Sequence, residues 1–155
     1  MYTPPLLNFR AITLEDLDQV DLIEQRSATY PWRKSYFTDS IESGHLCILV
    51  EQNDQPVGHC VMMTVAGEAS ILILTIDKGK QRKGIGKQLL QHMILLAAKS
   101  SCDTILLEVR KSNYKAFNLY LQEGFSEIGI RKNYYPTSNG HEDAVVMAME
   151  PSRNL

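Results

Sequence analysis

No stretch of this 155-residue chain approaches the ~18 consecutive apolar residues that a membrane span requires, so no membrane is expected among its partners. The N-terminus has Pro4 and Pro5 where a secretory leader would be apolar, and no signal peptide is expected. Cysteine is scarce. Cys47, Cys60 and Cys102 are odd in number, widely spaced and without a C-x-x-C pair, which argues against a disulfide framework or a zinc site. Each lies in or beside an apolar segment and reads as a buried free thiol, suited to a reducing cytoplasm. His45, His59, His92 and His141 show no ligand spacing, read as surface or satisfied side chains, and suggest no metal. Charge of one sign is also lacking: 16 Lys and Arg against 18 Asp and Glu leave −2, so no global field for nucleic acid exists. There is no G-x-S-x-G for a hydrolase nucleophile, no internal repeat and no low-complexity linker.

What is present is the composition of one globular domain over residues 1–155, 44% hydrophobic and 22% charged. Leu6 to Ile12 reads as a strand. Thr13 with Asp16 reads as a capping box before a helix whose stripe is Leu14, Leu17, Val20 and Ile23. Lys34 to Ser43 suggests a short helix closed by Gly44. Cys47 to Gln52 and Pro56 to Val65 read as a hairpin around a turn at Asn53-Asp54-Gln55-Pro56. Ile71 to Ile76 and Thr104 to Val109 are short, apolar and rich in β-branched residues, with a helical pattern between them. That is a βαβ unit with parallel strands. Asn113 to Gln122 reads as a helix with Ala116, Phe117, Tyr120 and Leu121 on one face. Phe125 to Arg131 and Ala144 to Glu150 are the last strands, joined by a loop holding Asn133-Tyr134-Tyr135-Pro136.

The chemistry concentrates between Ile71 and Ser100. A polar, basic loop, Asp77 to Lys83, leads through Gly84-Ile85-Gly86 into a helix marked by Leu89, Leu90, Met93, Ile94 and Ala97. A helix N-terminus offers unpaired amides and a positive dipole, and Arg82, Lys83 and Lys87 add charge, so the junction suits a pyrophosphate. A Walker-type loop would need Lys-Ser or Lys-Thr after its last glycine, where Ile85-Gly86 stands. A dinucleotide fingerprint would need glycine where Leu89 stands. Farther on, Glu108 sits near the carboxyl end of an apolar strand, where ligands bind in open α/β sheets. It reads equally as a general base or as a glutamate reaching water. Tyr120, on the apolar face of the next helix, reads first as a core residue.

The pattern Gln81-x-x-Gly84-x-Gly86 resembles the acetyl-CoA loop of the GNAT superfamily of N-acetyltransferases. Leu107-Glu108-Val109-Arg110-x-Ser112-Asn113 and Ala116-x-x-x-Tyr120-x-x-x-Gly124-Phe125 resemble the second half of that pattern. Ile23-Glu24-Gln25-Arg26, Tyr30-Pro31-Trp32, Arg131 to Thr137 and Gly140-x-Glu142-Asp143-Ala144 extend the likeness over nearly the whole chain. They resemble the members that acetylate the N-terminal alanine of a small-subunit ribosomal protein.

The resemblance implies an α/β (α+β) GNAT fold: a mixed, mostly antiparallel sheet of about seven strands, its central parallel pair splayed around acetyl-CoA, with helices on both faces. It implies Glu108 as proton acceptor, Tyr120 as proton donor and Asn113 as a cofactor contact. Leu74, Thr75 and Ile76 would face the acetyl group and pantetheine, and Arg82, Lys83, Gly84, Ile85, Gly86 and Lys87 the pyrophosphate. Trp32, Tyr134 and Tyr135, expected to be exposed, are the candidates for the acceptor, and packing of the last loop on the sheet is the equal alternative for them. The expected partner is a protein N-terminus on a ribosomal protein, with no direct nucleic acid, in a cytoplasmic monomer or weak dimer. A small amine or a lysine as acceptor, and a non-catalytic acetyl-CoA sensor, are the alternatives.

Overall fold

The computed structural model describes residues 6–151. The proline-containing start and the tail expected to be loose lie outside them. Seven strands and four α-helices follow in the order β1 (Leu7–Ala11), α1 (Leu17–Ser27), α2 (Lys34–Glu42), β2 (Leu46–Gln52), β3 (Gln55–Val65), β4 (Glu68–Ile76), α3 (Ile85–Lys99), β5 (Thr104–Arg110), α4 (Tyr114–Gln122), β6 (Ser126–Thr137) and β7 (Gly140–Met149). One sheet holds all seven strands in the order β1-β2-β3-β4-β5-β7-β6. β4 and β5 run parallel, whereas β1/β2, β2/β3, β5/β7 and β6/β7 are antiparallel. This is the mixed, mostly antiparallel sheet expected from the sequence. The parallel ladder runs from Glu68↔Thr104 to Ile71↔Leu107 and ends there, although β4 continues to Ile76 and β5 to Arg110.

The chain forms two compact units. The first comprises the residues up to Met63 together with Leu72–Met93; the second comprises Thr64–Ile71 and the residues from Ile94 onward. In the first, Ile12, Leu17, Val20, Phe37, Cys47, Leu49 and Val61 make a buried cluster, with Trp32, Ile41 and Ile73 packed against it. In the second, Ile105, Leu107 and Val109 are buried while Thr104, Leu106, Glu108 and Arg110 are half-buried, the period-two alternation of a strand. Cys47, Cys60 and Cys102 are free and buried, and burial pushes the Cys47 thiol up to about 11.

Several local expectations are corrected. Leu14 is 60% exposed and is not part of the α1 stripe. A 3-10 turn, Leu14–Asp16, precedes α1 and turns Leu14 away from Leu17, Val20 and Ile23. The Thr13 N–H donates to Asp16 Oδ2 at 2.7 Å, so the expected cap contact forms on this turn. The β2–β3 turn is tighter than expected. Asn53 and Asp54 alone supply it, both with positive φ, and Pro56 already pairs with Glu51 beside a register shift. A bulge tolerates a residue without an N–H. Leu121 is 45% exposed, and α4 packs through Tyr120 instead.

The loop expected around Asn133 to Pro136 is strand. β6 pairs with β7 as far as Thr137↔Gly140, with a register irregularity between Arg131 and Tyr135. Pro136 is accommodated because β6 is the sheet's last strand, where a missing donor can face outward.

Candidate active site

β4 runs into the basic loop through a chain of main-chain contacts. The Asp77 N–H donates to Val57 O at 2.8 Å, and the Lys80 N–H donates to Asp77 O at 2.7 Å. Gln81 Nε2 donates to Ile76 O at 3.1 Å, which ties the first residue of the Gln-x-x-Gly-x-Gly pattern to the end of β4. Arg82 and Gly84 both have positive φ, 63° and 80°. Glycine adopts that conformation at no steric cost; arginine adopts it only where the loop requires the turn. The first intrahelical bond of α3 runs from the Gln88 N–H to Gly84 O at 3.2 Å. The amides of Ile85, Gly86 and Lys87 precede that bond, at the helix start where N–H groups have no intrahelical acceptor. Ile85 is buried and anchors the turn, while Arg82, Lys83, Gly84 and Lys87 are exposed.

Thr75 is buried, and Leu74 and Ile76 are half-buried. β3 approaches this part of β4 so closely that a Cβ on Gly58 would lie 2.7 Å from Ile76 Cδ1 and 2.8 Å from Thr75 O. The second of these atoms is backbone and cannot rotate away. Gly58→Ala is expected to displace β4 at Thr75 and cost about 1–3 kcal/mol in stability. Thermal melting checks this, and an unchanged midpoint would show that β4 yields freely there.

The first unit also contains a group that the sequence reading passed over. Glu24 on α1, His59 on β3 and Thr75 on β4 are all buried. Glu24 Oε1 accepts from Thr75 Oγ1 at 2.8 Å and lies 2.9 Å from His59 Nε2; Glu24 Oε2 accepts from the Trp32 N–H at 3.0 Å. Burial pushes the Glu24 carboxyl up, but the bonds from His59, the Trp32 amide and Thr75 outweigh burial and hold it below the ordinary range. His59 is thus neither a surface residue nor fully satisfied, since its Nδ1 has no hydrogen-bond partner among the described residues. The available signal was periodicity: Glu24 falls four residues after Val20, on the core face of α1.

In the second unit, Glu108 sits near the end of β5, opposite Val146 of β7. Its Oε2 is buried without a hydrogen bond. Arg131 Nε lies 3.1 Å away, so the two form an ion pair without hydrogen-bond alignment. Tyr135 is half-buried, not exposed, with the Arg110 guanidinium 4.3 Å from its ring centroid. Burial and the nearby Glu108 charge push its phenol up to about 12. Arg110 Nη1 also donates to Glu142 Oε1 at 3.1 Å and to Pro136 O at 3.0 Å, and the Ser112 hydroxyl donates to the same Glu142 oxygen at 3.1 Å.

Tyr134 is 48% exposed, beside Tyr135 and Arg131. Tyr120 is 7% exposed and packs edge-on against Phe125 at 5.7 Å. Asn113 caps α4, its Oδ1 accepting from the Ala116 N–H at 3.3 Å. Trp32, expected to be exposed, is half-buried and lies 5.1 Å from Phe37 and 5.9 Å from Tyr36, ring centre to ring centre. Packing on the first core accounts for it. Among the described residues no group of three or more His, Cys, Asp or Glu could hold a metal ion, and no helix is long and apolar enough to cross a membrane.

A basic, glycine-bearing loop at a strand-to-helix junction, in a mixed sheet with one short parallel ladder and a carboxylate near the end of β5, matches a known family. Residues 12–125 fit the acetyltransferase (GNAT) family model, and the chain belongs to that family. Over 142 residues it is 37% identical to the [ribosomal protein bS18]-alanine N-acetyltransferase of Escherichia coli K12, an alignment covering 88% of this chain and 96% of the relative. The crystal structure of the ribosomal-protein-S18-alanine N-acetyltransferase from Escherichia coli superposes with a TM-score of 0.89 at 35% identity, over 95% of each chain. Ard1 from Thermoplasma volcanium follows at 0.84 and 25% identity, covering 93% of this chain and 97% of that one.

Proposed function

We propose that this protein transfers the acetyl group of acetyl-CoA to the N-terminal α-amino group of a protein, and that its substrate is the N-terminal alanine of ribosomal protein bS18. The observation that supports the chemistry best is the Glu108 carboxylate near the carboxyl end of β5, whose Oε2 pairs with Arg131 and accepts no hydrogen bond among the described residues. The likeness to bS18-alanine N-acetyltransferases over nearly nine-tenths of the chain supports the substrate.

An α-amine has a pKa near ~8 and is largely protonated at neutral pH, so it needs a base before it can attack. Glu108 takes that proton. The amine nitrogen then bonds to the thioester carbonyl carbon and an oxyanion develops. Backbone N–H groups along Leu74, Thr75 and Ile76 stabilise that charge. As the C–S bond breaks, Tyr120 gives its proton to the departing CoA thiolate, and the surplus proton on the newly bonded nitrogen passes back to the Tyr120 phenolate, leaving a neutral amide. The amides of Ile85, Gly86 and Lys87, with Arg82 and Lys83, hold the pyrophosphate. Asn113 contacts the CoA moiety, and Trp32, Tyr134 and Tyr135 shape the acceptor site.

CoA release from acetyl-CoA tests the substrate. Turnover is expected with a peptide carrying the bS18 N-terminus and is expected to vanish when its α-amine is blocked. Equal turnover with the blocked peptide would move the reaction to lysine. Turnover with a small polyamine alone would remove the protein substrate, and acetyl-CoA binding without turnover on any amine would leave a sensor.

A further inference from the structure

The last turn of α1 holds the end of β4 at three successive points. Glu24 accepts from the Thr75 hydroxyl, Arg26 grips the Asp77 carboxylate at 2.9 and 2.5 Å, and the Ser27 hydroxyl accepts from the Lys78 N–H at 2.9 Å. Glu24 also reaches the segment between α1 and α2, through the Trp32 N–H, where its neighbour Gln25 donates to Trp32 O at 2.9 Å. Three donors from three places thus converge on one buried carboxylate: the Thr75 hydroxyl, the Trp32 amide and His59, whose Nε2 proton is assigned from the acceptor it faces. A carboxylate meets all three because it only accepts. A glutamine at this position turns an amide donor toward one of them, and a buried donor facing a donor is costly.

We propose that Glu24 is a positioning residue for acetyl transfer: through Thr75 and Trp32, its carboxylate fixes the acetyl-binding edge of β4 against the acceptor-side segment. This rests on the functional reading above, in which Leu74 to Ile76 face the thioester and Trp32 belongs to the acceptor side. Glu24 touches neither substrate. Its effect is to hold the Leu74–Ile76 amides where the oxyanion forms, and a displacement of an ångström at such donors lowers a rate by about a hundredfold. CoA affinity comes mostly from the pyrophosphate loop, so it should survive a small shift of β4.

Three variants and two measurements test this, using the full chain and the amine that the wild type acetylates. Thr75→Val removes the hydroxyl with little change of volume. Its kcat should fall by about tenfold or more while the calorimetric Kd and stoichiometry for acetyl-CoA stay within about twofold. Thr75→Ser restores the donor and should restore kcat. Glu24→Gln should lower kcat and raise the acceptor KM by about fivefold, since it also disturbs Trp32. Partial unfolding would lower the stoichiometry along with kcat, and that result would overturn the positioning role.

Wild-type turnover by Thr75→Val, or a Thr75→Ser variant as impaired as Thr75→Val, would also overturn it. An unchanged acceptor KM in Glu24→Gln would overturn the link to the acceptor side. The functional reading fails in the wild type itself, as an absence of acetyl-CoA binding, and that result would sink both. The positioning role fails only in the variants.

Discussion

Glu108→Gln is expected to lower kcat by about 10²–10⁴-fold, the usual contribution of a positioned general base. The substitution keeps the size and shape of the side chain and removes the capacity to take a proton from the amine. Among the described residues Oε2 accepts no hydrogen bond, so its ion pair is the only contact there that the substitution weakens. What changes besides proton transfer is the pairing with Arg131, 3.1 Å away. Arg131 is 58% exposed at its side chain and recovers hydration, so stability should change by no more than a surface ion pair is worth, about 0–1 kcal/mol. The affinity for acetyl-CoA should hold, because in the proposed mechanism Glu108 acts on the amine and makes no contact with the cofactor's pyrophosphate. The pH–rate profile should change shape as the base is removed. A variant with wild-type kcat and an unchanged profile would assign the base to another group.

Tyr120→Phe is the second large effect, with kcat expected to fall by about 10²-fold or more. The ring is 7% exposed and packs against Phe125, and phenylalanine preserves that packing. Only the hydroxyl is lost, and with it the proton for the departing thiolate. Loss of one buried hydroxyl interaction costs about 1 kcal/mol of stability, far too little to explain a hundredfold loss of turnover in a protein that remains folded. Pre-steady-state measurement separates the two roles further: a proton donor acts at thioester cleavage, so the chemical step must slow, not product release. Retained kcat in the phenylalanine variant would leave Tyr120 as a core residue alone.

The parallel pair and its crossover helix were legible because their signals are local. Ile71 to Ile76 and Thr104 to Val109 are dense in β-branched and leucine residues, and Leu89, Leu90, Met93, Ile94 and Ala97 repeat at helical spacing and are all buried. The glycine-bearing loop was legible for the same reason. β6 was cut short because Asn133 and Pro136 carry turn chemistry. Pro136 is held in the strand by its place opposite His141 of β7, a tertiary fact, and Asn133 keeps a left-handed φ of 52° within the register irregularity. The sequence left packing and acceptor contact equally open for Trp32 and Tyr135, because aromatic residues beside prolines look alike whether they cover a core or await a ligand. The Glu24–His59–Thr75 group was hidden because its members lie 35 and 51 residues apart. No spacing rule joins them; only the fold does.

Tandem mass spectrometry of the product formed from acetyl-CoA and a lysine-containing peptide with the bS18 N-terminus locates the transferred group. One acetyl on the α-nitrogen of the N-terminal alanine, with every lysine unmodified, is the expected result. Acetyl on a lysine side chain with the α-amine free would contradict it.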